Sequence, residues 1–187
     1  SDFGRREGYL ARQISRWSRQ WQISKTREDA HIDQLVAWLP AHVPAGDAVS
    51  IVHGDYRIGN LMFHPSEPRV IAILDWELST LGHPLADLAH CCMAWDSAPD
   101  EYGGIAGLDL AALGLPDRAA FEALYAARAR HGETLQPAHR AIAMFRWSVI
   151  FEGIAARARA GNAASADASA VGRLAAVFAA RAAGYIG

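Results

Sequence analysis

Between Val49 and Trp76 the β-branched residues gather into short clusters, Val49-Ser50-Ile51-Val52 and Val70-Ile71-Ala72-Ile73-Leu74, and turn-rich segments separate them. This confines any β-structure to a small patch, predicted as three short strands. Pro65-Ser66-Glu67-Pro68 is the expected hairpin turn within it, because proline fixes one backbone dihedral and cannot continue a ladder. The two flanks should pair antiparallel.

On both sides of the patch the apolar residues follow a helical period. Leu10, Ile14, Trp17 and Trp21 recur at three- and four-residue steps after Tyr9, with Arg and Gln on the other face. Thr26 followed by Asp29 resembles a capping arrangement, ahead of a second stripe of Ile32, Leu35, Val36 and Leu39 that Pro40 and Pro44 end. Beyond Gly82-His83-Pro84 the residues Leu85, Leu88, Ala89 and Cys92 share one face. A glycine-containing loop is expected from Asp96 to Leu110, then helices near Asp117 to His131, Pro137 to Ala160 and Ser165 to Tyr185. The last is so rich in alanine that helix propensity carries the prediction more than patterning. No fixed-period repeat is present, and Ala163 to Ala170 is only mildly biased in composition. The fold class is α+β, mainly α.

A chain of 187 residues, 51% of them hydrophobic, has enough material for one buried core. Its 18 basic and 20 acidic residues leave a formal net charge of -2, which gives no electrostatic reason to expect nucleic acid or an anionic membrane as partner. No apolar stretch approaches the roughly 20 residues that span a bilayer. Arg5 and Arg6 sit where a signal peptide would need an apolar core. Adjacent Cys91 and Cys92 suit neither a loop-closing disulfide nor a zinc site, so a reducing cytoplasm is expected.

The chemistry is concentrated in His53-Gly54-Asp55-Tyr56-Arg57-Ile58-Gly59-Asn60 and, fifteen residues on, in Leu74-Asp75-Trp76-Glu77 at the end of an apolar strand. An Asp followed five positions later by Asn, and then by an Asp after a strand, is the order in which kinases place a base and two metal ligands. A triphosphate would be repelled by carboxylates unless a divalent cation lay between them, and Mg²⁺ takes that mixture of carboxylate and phosphate oxygens. Asn60 and Asp75 are therefore the expected ligands of Mg²⁺ and, through it, of ATP. Asp55 is the carboxylate that would orient an acceptor hydroxyl and accept its proton. Arg57 is placed to stabilise charge on the transferring phosphate, His53 to brace the loop, and Gly54 to give it conformational freedom.

The stretch from His53-Gly54-Asp55 to Asn60, with Asp75, resembles the aminoglycoside phosphotransferase and choline kinase superfamily. Further segments resemble the phosphotransferase-like branch associated with acyl-CoA dehydrogenases: Tyr9 to Trp17, Val52 to Ala89 with Leu78-Ser79-Thr80-Leu81-Gly82-His83-Pro84-Leu85-Ala86-Asp87-Leu88-Ala89, Tyr102-Gly103-Gly104-Ile105, Gly107-Leu108, Gly153-Ile154 and Ala160-Gly161-Asn162. The resemblance covers nearly the whole chain. It implies the C-terminal lobe of a protein-kinase-like fold, with the β-patch carrying the catalytic loop and Asp87 tying that loop to the following helix. It also implies an N-terminal nucleotide lobe, which is not expected among the residues before His53, since these read as helices. The implied activity is transfer of phosphate from ATP to a hydroxyl of a small molecule. The branch points to a metabolic hydroxy acid or acyl-CoA; the wider family points to aminoglycosides, which need an acidic pocket such as Asp96, Asp100 and Glu101 would offer. Without the nucleotide lobe the chain would instead be an inactive binding lobe, and an uncovered apolar face would favour self-association.

Plainer assignments stand beside these. Asp2-Phe3-Gly4 spells a kinase metal motif but precedes the loop and follows no strand, so it is read as coincidence. His53, His64, His83 and His90 with the cysteines match no zinc spacing and are read as structural or surface residues. The tryptophans are assigned to core packing, with Trp95 or Trp147 as alternative pocket residues. Glu77 is a salt-bridged or solvated carboxylate, or a metal or substrate contact. Arg146, Glu152 and Arg157 form a charged helix face, with the acceptor cleft as the other option.

Overall fold

Periodic apolar spacing yields helix wherever the sequence carries it. The computed structural model describes residues 4–46, 48–161 and 168–187, and its helices are α1 (Tyr9–Ser24), α2 (Ala30–Trp38), α3 (Leu85–Cys92), α4 (Arg118–Ala126), α5 (Pro137–Arg159) and α6 (Ala168–Gly184). Among the described residues four short strands accompany them: β1 (Ser50–Val52), β2 (Leu61–Phe63), β3 (Val70–Ile73) and β4 (Thr80–Gly82). The chain divides into two compact units, one built on Gly46–Leu135 and the other on Leu10–Ala45 with Gln136–Gly187. No described helix is long and apolar enough to cross a membrane.

In the all-helical unit the buried side chains are Ile14 and Trp21 of α1, Ile32 and Leu35 of α2, Phe145 and Phe151 of α5, and Phe178 of α6. Phe151 meets Phe178 edge-on at 5.0 Å between ring centroids. The start of α2 corrects the sequence reading. Asp29 alone is the N-cap, accepting from the amides of His31 (3.0 Å) and Ile32 (3.3 Å). Thr26 turns elsewhere, giving both its amide and its hydroxyl to Glu152 Oε1 at 2.7 Å. Arg27 Nε adds a contact to Glu152 Oε2 at 3.2 Å, so Glu152 is a buried structural carboxylate and not part of a charged face. In α6 the alanines are more than helix formers: Ala175, Ala179 and Ala182 are fully buried on one face, and Ala175 O accepts from Ser148 Oγ at 2.7 Å. The expected beginning of this helix at Ser165, the residues Asn162 and Ala163, and Asp2 and Phe3 lie outside the described residues.

The other unit carries the strands. The hairpin predicted around Pro65 to Pro68 is present: β2 and β3 pair antiparallel, with Leu61 opposite Ile73 and an irregularity between Met62 and Phe63. The single three-stranded patch is corrected to two separate two-stranded sheets. β1 pairs antiparallel with β4, setting Ser50 against Gly82 and Val52 against Thr80. Thr80-Leu81-Gly82 was legible only as the lead-in to α3, because three residues ending in glycine carry no alternation. Leu85, Leu88 and Cys92 of α3 then form a core with Phe121, Tyr125 and Leu135.

Candidate functional site

Where β1 ends at the buried Val52, the chain must turn sharply into the loop 53–60. Gly54 allows the turn: its φ is +84°, and a Cβ there would lie 2.9 Å from Leu78 O. The backbone is then held from α3. Asp87 accepts the His53 amide at 2.6 Å through Oδ2 and the Gly54 amide at 2.9 Å through Oδ1. His53 itself is buried and faces inward. Its Nδ1 accepts from the Asp55 amide at 3.2 Å, which leaves Nε2 to carry the proton and donate to Leu74 O at 2.7 Å. The ring thus braces the loop against the strand that leads to Asp75.

Asp55 is locked from both sides of the loop. Asn60 Nδ2 donates to Asp55 O at 2.8 Å and to Asp55 Oδ2 at 2.9 Å, and Arg57 Nε donates to the same Oδ2 at 3.2 Å. Both of Asn60's partners are pure acceptors, so the orientation of its amide is fixed and its Oδ1 points away from Asp55. Arg57 is the exposed member of the group, its side chain 44% accessible, with its guanidinium 5.8 Å from the Tyr102 ring centroid.

Asp75 joins through the backbone. Leu74 N donates to Asn60 O at 2.8 Å, extending the β2–β3 ladder so that Asp75 follows the residue paired with Asn60. Asp75 then takes a left-handed conformation, φ 64° and ψ 55°, unusual for a residue with a side chain. That twist ends the strand and starts the short 3-10 turn Trp76–Leu78, leaving the Asp75 and Glu77 carboxylates exposed. Among the described residues no three His, Cys, Asp or Glu side chains gather in a group that could hold a metal. One carboxylate and one amide oxygen are nevertheless a fitting donor set for Mg²⁺, which keeps several waters and completes its shell with phosphate oxygens.

Two features beside the loop were not singled out in the sequence. His90, one turn after Asp87 on α3, brings Nε2 to 3.6 Å from Asp55 Oδ1, both side chains being largely buried. Its spacing from Asp87 was the available signal. A cavity of about 510 Å³ also opens beside the loop, walled by Arg57, Phe63, His90, Trp95, Tyr102 and Phe121 among others, and none of its described lining residues is acidic. Trp95 is thus a pocket residue, its indole N–H tied to Pro116 O at 3.0 Å, whereas Trp147 packs against Phe151 in the other unit. The expected acidic cluster is engaged locally: Asp96 pairs with Arg118 at 2.6 Å and Glu101 Oε2 accepts the Ala98 amide at 2.9 Å. Behind the loop, burial and then the charge of Asp87 push the Cys91 thiol up to about 11. Tyr56 is likewise raised, first by burial and then by Cys91 and Asp87.

A sequence model of the phosphotransferase enzyme family (APH) matches residues 1–145, which include the whole loop, Asp75 and α3. The chain belongs to that family. Among the family's relatives, acyl-CoA dehydrogenase family member 10 of Mus musculus is 34% identical over 180 residues, 92% of this chain and 16% of that protein. Acyl-CoA dehydrogenase family member 11 of Gallus gallus is 38% identical over 175 residues, 89% of this chain and 22% of that protein. The phosphotransferase chain therefore spans less than a quarter of the length of these two relatives. In three dimensions it is similar to a crystal structure from Ralstonia eutropha provisionally described as an aminoglycoside phosphotransferase, with a TM-score of 0.92 and 47% identity, covering 99% of this chain and 57% of that one.

Proposed function

We propose that this chain is the C-terminal, acceptor-side lobe of an ATP- and Mg²⁺-dependent phosphotransferase that phosphorylates a hydroxyl of a small molecule. The observation that carries this reading is the clamp of Asn60 on Asp55, which holds a carboxylate fixed at the end of a loop whose backbone Asp87 grips. In this reading Asp55 orients the hydroxyl and takes its proton as the oxygen attacks phosphorus. Asn60 Oδ1 and Asp75 would hold Mg²⁺, which would supply charge neutralisation for the phosphates there. Arg57 places its guanidinium where charge builds up on the phosphoryl oxygens, and His53 keeps the loop in register with Asp75. The rest of the nucleotide cradle belongs in this proposal to polypeptide not contained in these 187 residues. Exposed Met62, Phe63, Val70 and Ile71 on the β2–β3 hairpin support such a covered face.

The cavity favours a metabolic acceptor, a hydroxy acid or acyl-CoA, over an aminoglycoside. A polycation needs carboxylates around it, but none of the described lining residues carries one, and Arg57 among them suits a carboxylate or phosphate group on the acceptor. The test is Mg²⁺-dependent ATP binding by calorimetry, with the Ralstonia-type remainder of the chain fused in front of this one. Wild type is expected to bind MgATP and Asp75→Ala to lose at least tenfold in affinity; equal binding by both would remove Asp75 from the metal site.

A further inference from the structure

Among the described residues, two that carry side chains take a positive φ: Asp75 at the site, and Tyr102 with φ 91°. An aromatic residue in that region is strained, and it stays there only where its surroundings fix it. Around Tyr102 the surroundings are a tab of chain closed at its base. Gly104 N donates to Ala98 O at 3.2 Å, Ile105 N to Ala94 O at 2.8 Å and Ala106 N to Ser97 O at 2.9 Å. The tab contributes Tyr102, Gly103 and Ile105 to the wall of the 510 Å³ cavity, and the loop 53–60 contributes Arg57, Ile58 and Gly59.

Arg57 is where tab and loop meet. Its Nε donates to Asp55 Oδ2 at 3.2 Å, its guanidinium carbon stands over the Tyr102 ring at 5.8 Å from the centroid, and Nη1 lies 2.9 Å from where a Cβ on Gly59 would be. A long side chain that is 44% accessible would otherwise spread over many rotamers. Here Asp55 ties one edge of the guanidinium, Gly59 leaves room for it, and the aromatic ring holds a face. Nη1 and Nη2 make no hydrogen bond among the described residues, and the cavity that Arg57 lines gives access to them. We propose that Tyr102 is a positioning residue for Arg57: its ring keeps the guanidinium in the orientation that leaves Nε on Asp55 and offers Nη1 and Nη2 to the phosphoryl oxygens. This rests on the phosphotransfer reading above and deepens it. The strain at Tyr102 has a purpose in this arrangement, because an ordinary negative φ at the same point of the tab would project the ring in another direction.

The test is kinetic, using the fusion with the Ralstonia-type remainder, the labelled γ-phosphate of MgATP, and hydroxy-acid and acyl-CoA acceptors. Tyr102→Gly removes the ring and also relieves the positive φ, so it should fold with a denaturation midpoint no lower than that of wild type. Tyr102→Asn, which tolerates the same conformation, is the second variant and should behave alike. In both, kcat should fall roughly 3- to 10-fold with the acceptor KM within about twofold, because a loosely held guanidinium is in place for less of the time. Tyr102→Phe keeps the ring face and should recover most of the loss. In an Arg57→Ala background Tyr102→Gly should cost nothing further, since a ring that acts only through Arg57 has nothing left to hold. An unchanged kcat, an equal loss with and without Arg57, or a rise in acceptor KM alone overturns the proposal and leaves Tyr102 as a wall of the cavity. The ¹⁵N–¹H resonance of Arg57 Nε, read without substrates, separates this failure from that of the underlying reading. It should move in Tyr102→Gly far more than in Tyr102→Phe, and an unmoved resonance overturns the proposal while phosphotransfer stands. If the resonance moves but wild type transfers phosphate to no acceptor, the phosphotransfer reading has failed and takes the positioning role with it.

Discussion

At Asp75 the backbone does something a strand end does not require: it enters the left-handed region with a side chain attached. That conformation costs about 1 kcal/mol relative to glycine, and such strain accumulates where the side chain has a task. Asp75→Gly should therefore raise stability by about 1 kcal/mol, read as a higher denaturation midpoint, while abolishing Mg²⁺-dependent activity. Loss of stability would mean that the carboxylate holds the turn together. Cys91 offers a second measurement. With its thiol pushed up to about 11, above the ordinary value of 9.0, it stays protonated at pH 8 and should react slowly with thiol reagents until the protein unfolds. The sign follows from linkage: the folded state holds this proton more tightly, so the group's contribution to stability is intact below pH 9 and is lost as pH rises toward 11. Asp55, Asn60 and Asp75 stood out in the sequence by type and spacing, and the structure joins Asp55 to Asn60 directly and brings Asp75 in through the bond from Leu74 N to Asn60 O. His90 did not stand out, since a histidine on an apolar helix face looks the same whether it packs or points at a carboxylate.

At the scale of elements, long periodic stretches were readable and short ones were not. α1 and α2 declare themselves through buried stripes, whereas β4 is three residues whose only reason to be a strand is the edge of β1 beside it. The cap of α2 was misread for a related reason. Thr26 and Asp29 both have capping chemistry, and the choice between them depended on Glu152, more than 120 residues away, claiming Thr26. In α6 the alanine face matters because it lets α5 approach closely while Phe178 fills the remaining space against Phe151. Phe178→Ala should cost about 3–5 kcal/mol, seen as a large drop in the chemical denaturation midpoint. A change under 1 kcal/mol would show that the helices repack around the gap.

For the molecule as a whole, membership of the phosphotransferase family, the fixed Asp55–Asn60 pair and a cavity with no acidic residue in its described lining all bear on one reaction. The chain spans less than a quarter of the length of the two relatives, so the acceptor is best sought by direct turnover. The decisive measurement is transfer of labelled γ-phosphate from MgATP to hydroxy-acid and acyl-CoA acceptors by the fusion with the Ralstonia-type remainder, comparing wild type with Asp55→Asn. Removing a general base of this type should lower kcat by about 10²- to 10⁴-fold with little change in the KM for ATP. An Asp55→Asn protein that transfers phosphate at the wild-type rate would contradict the account, because the residue that the loop, α3 and Asn60 all serve to position would then have no part in the chemistry.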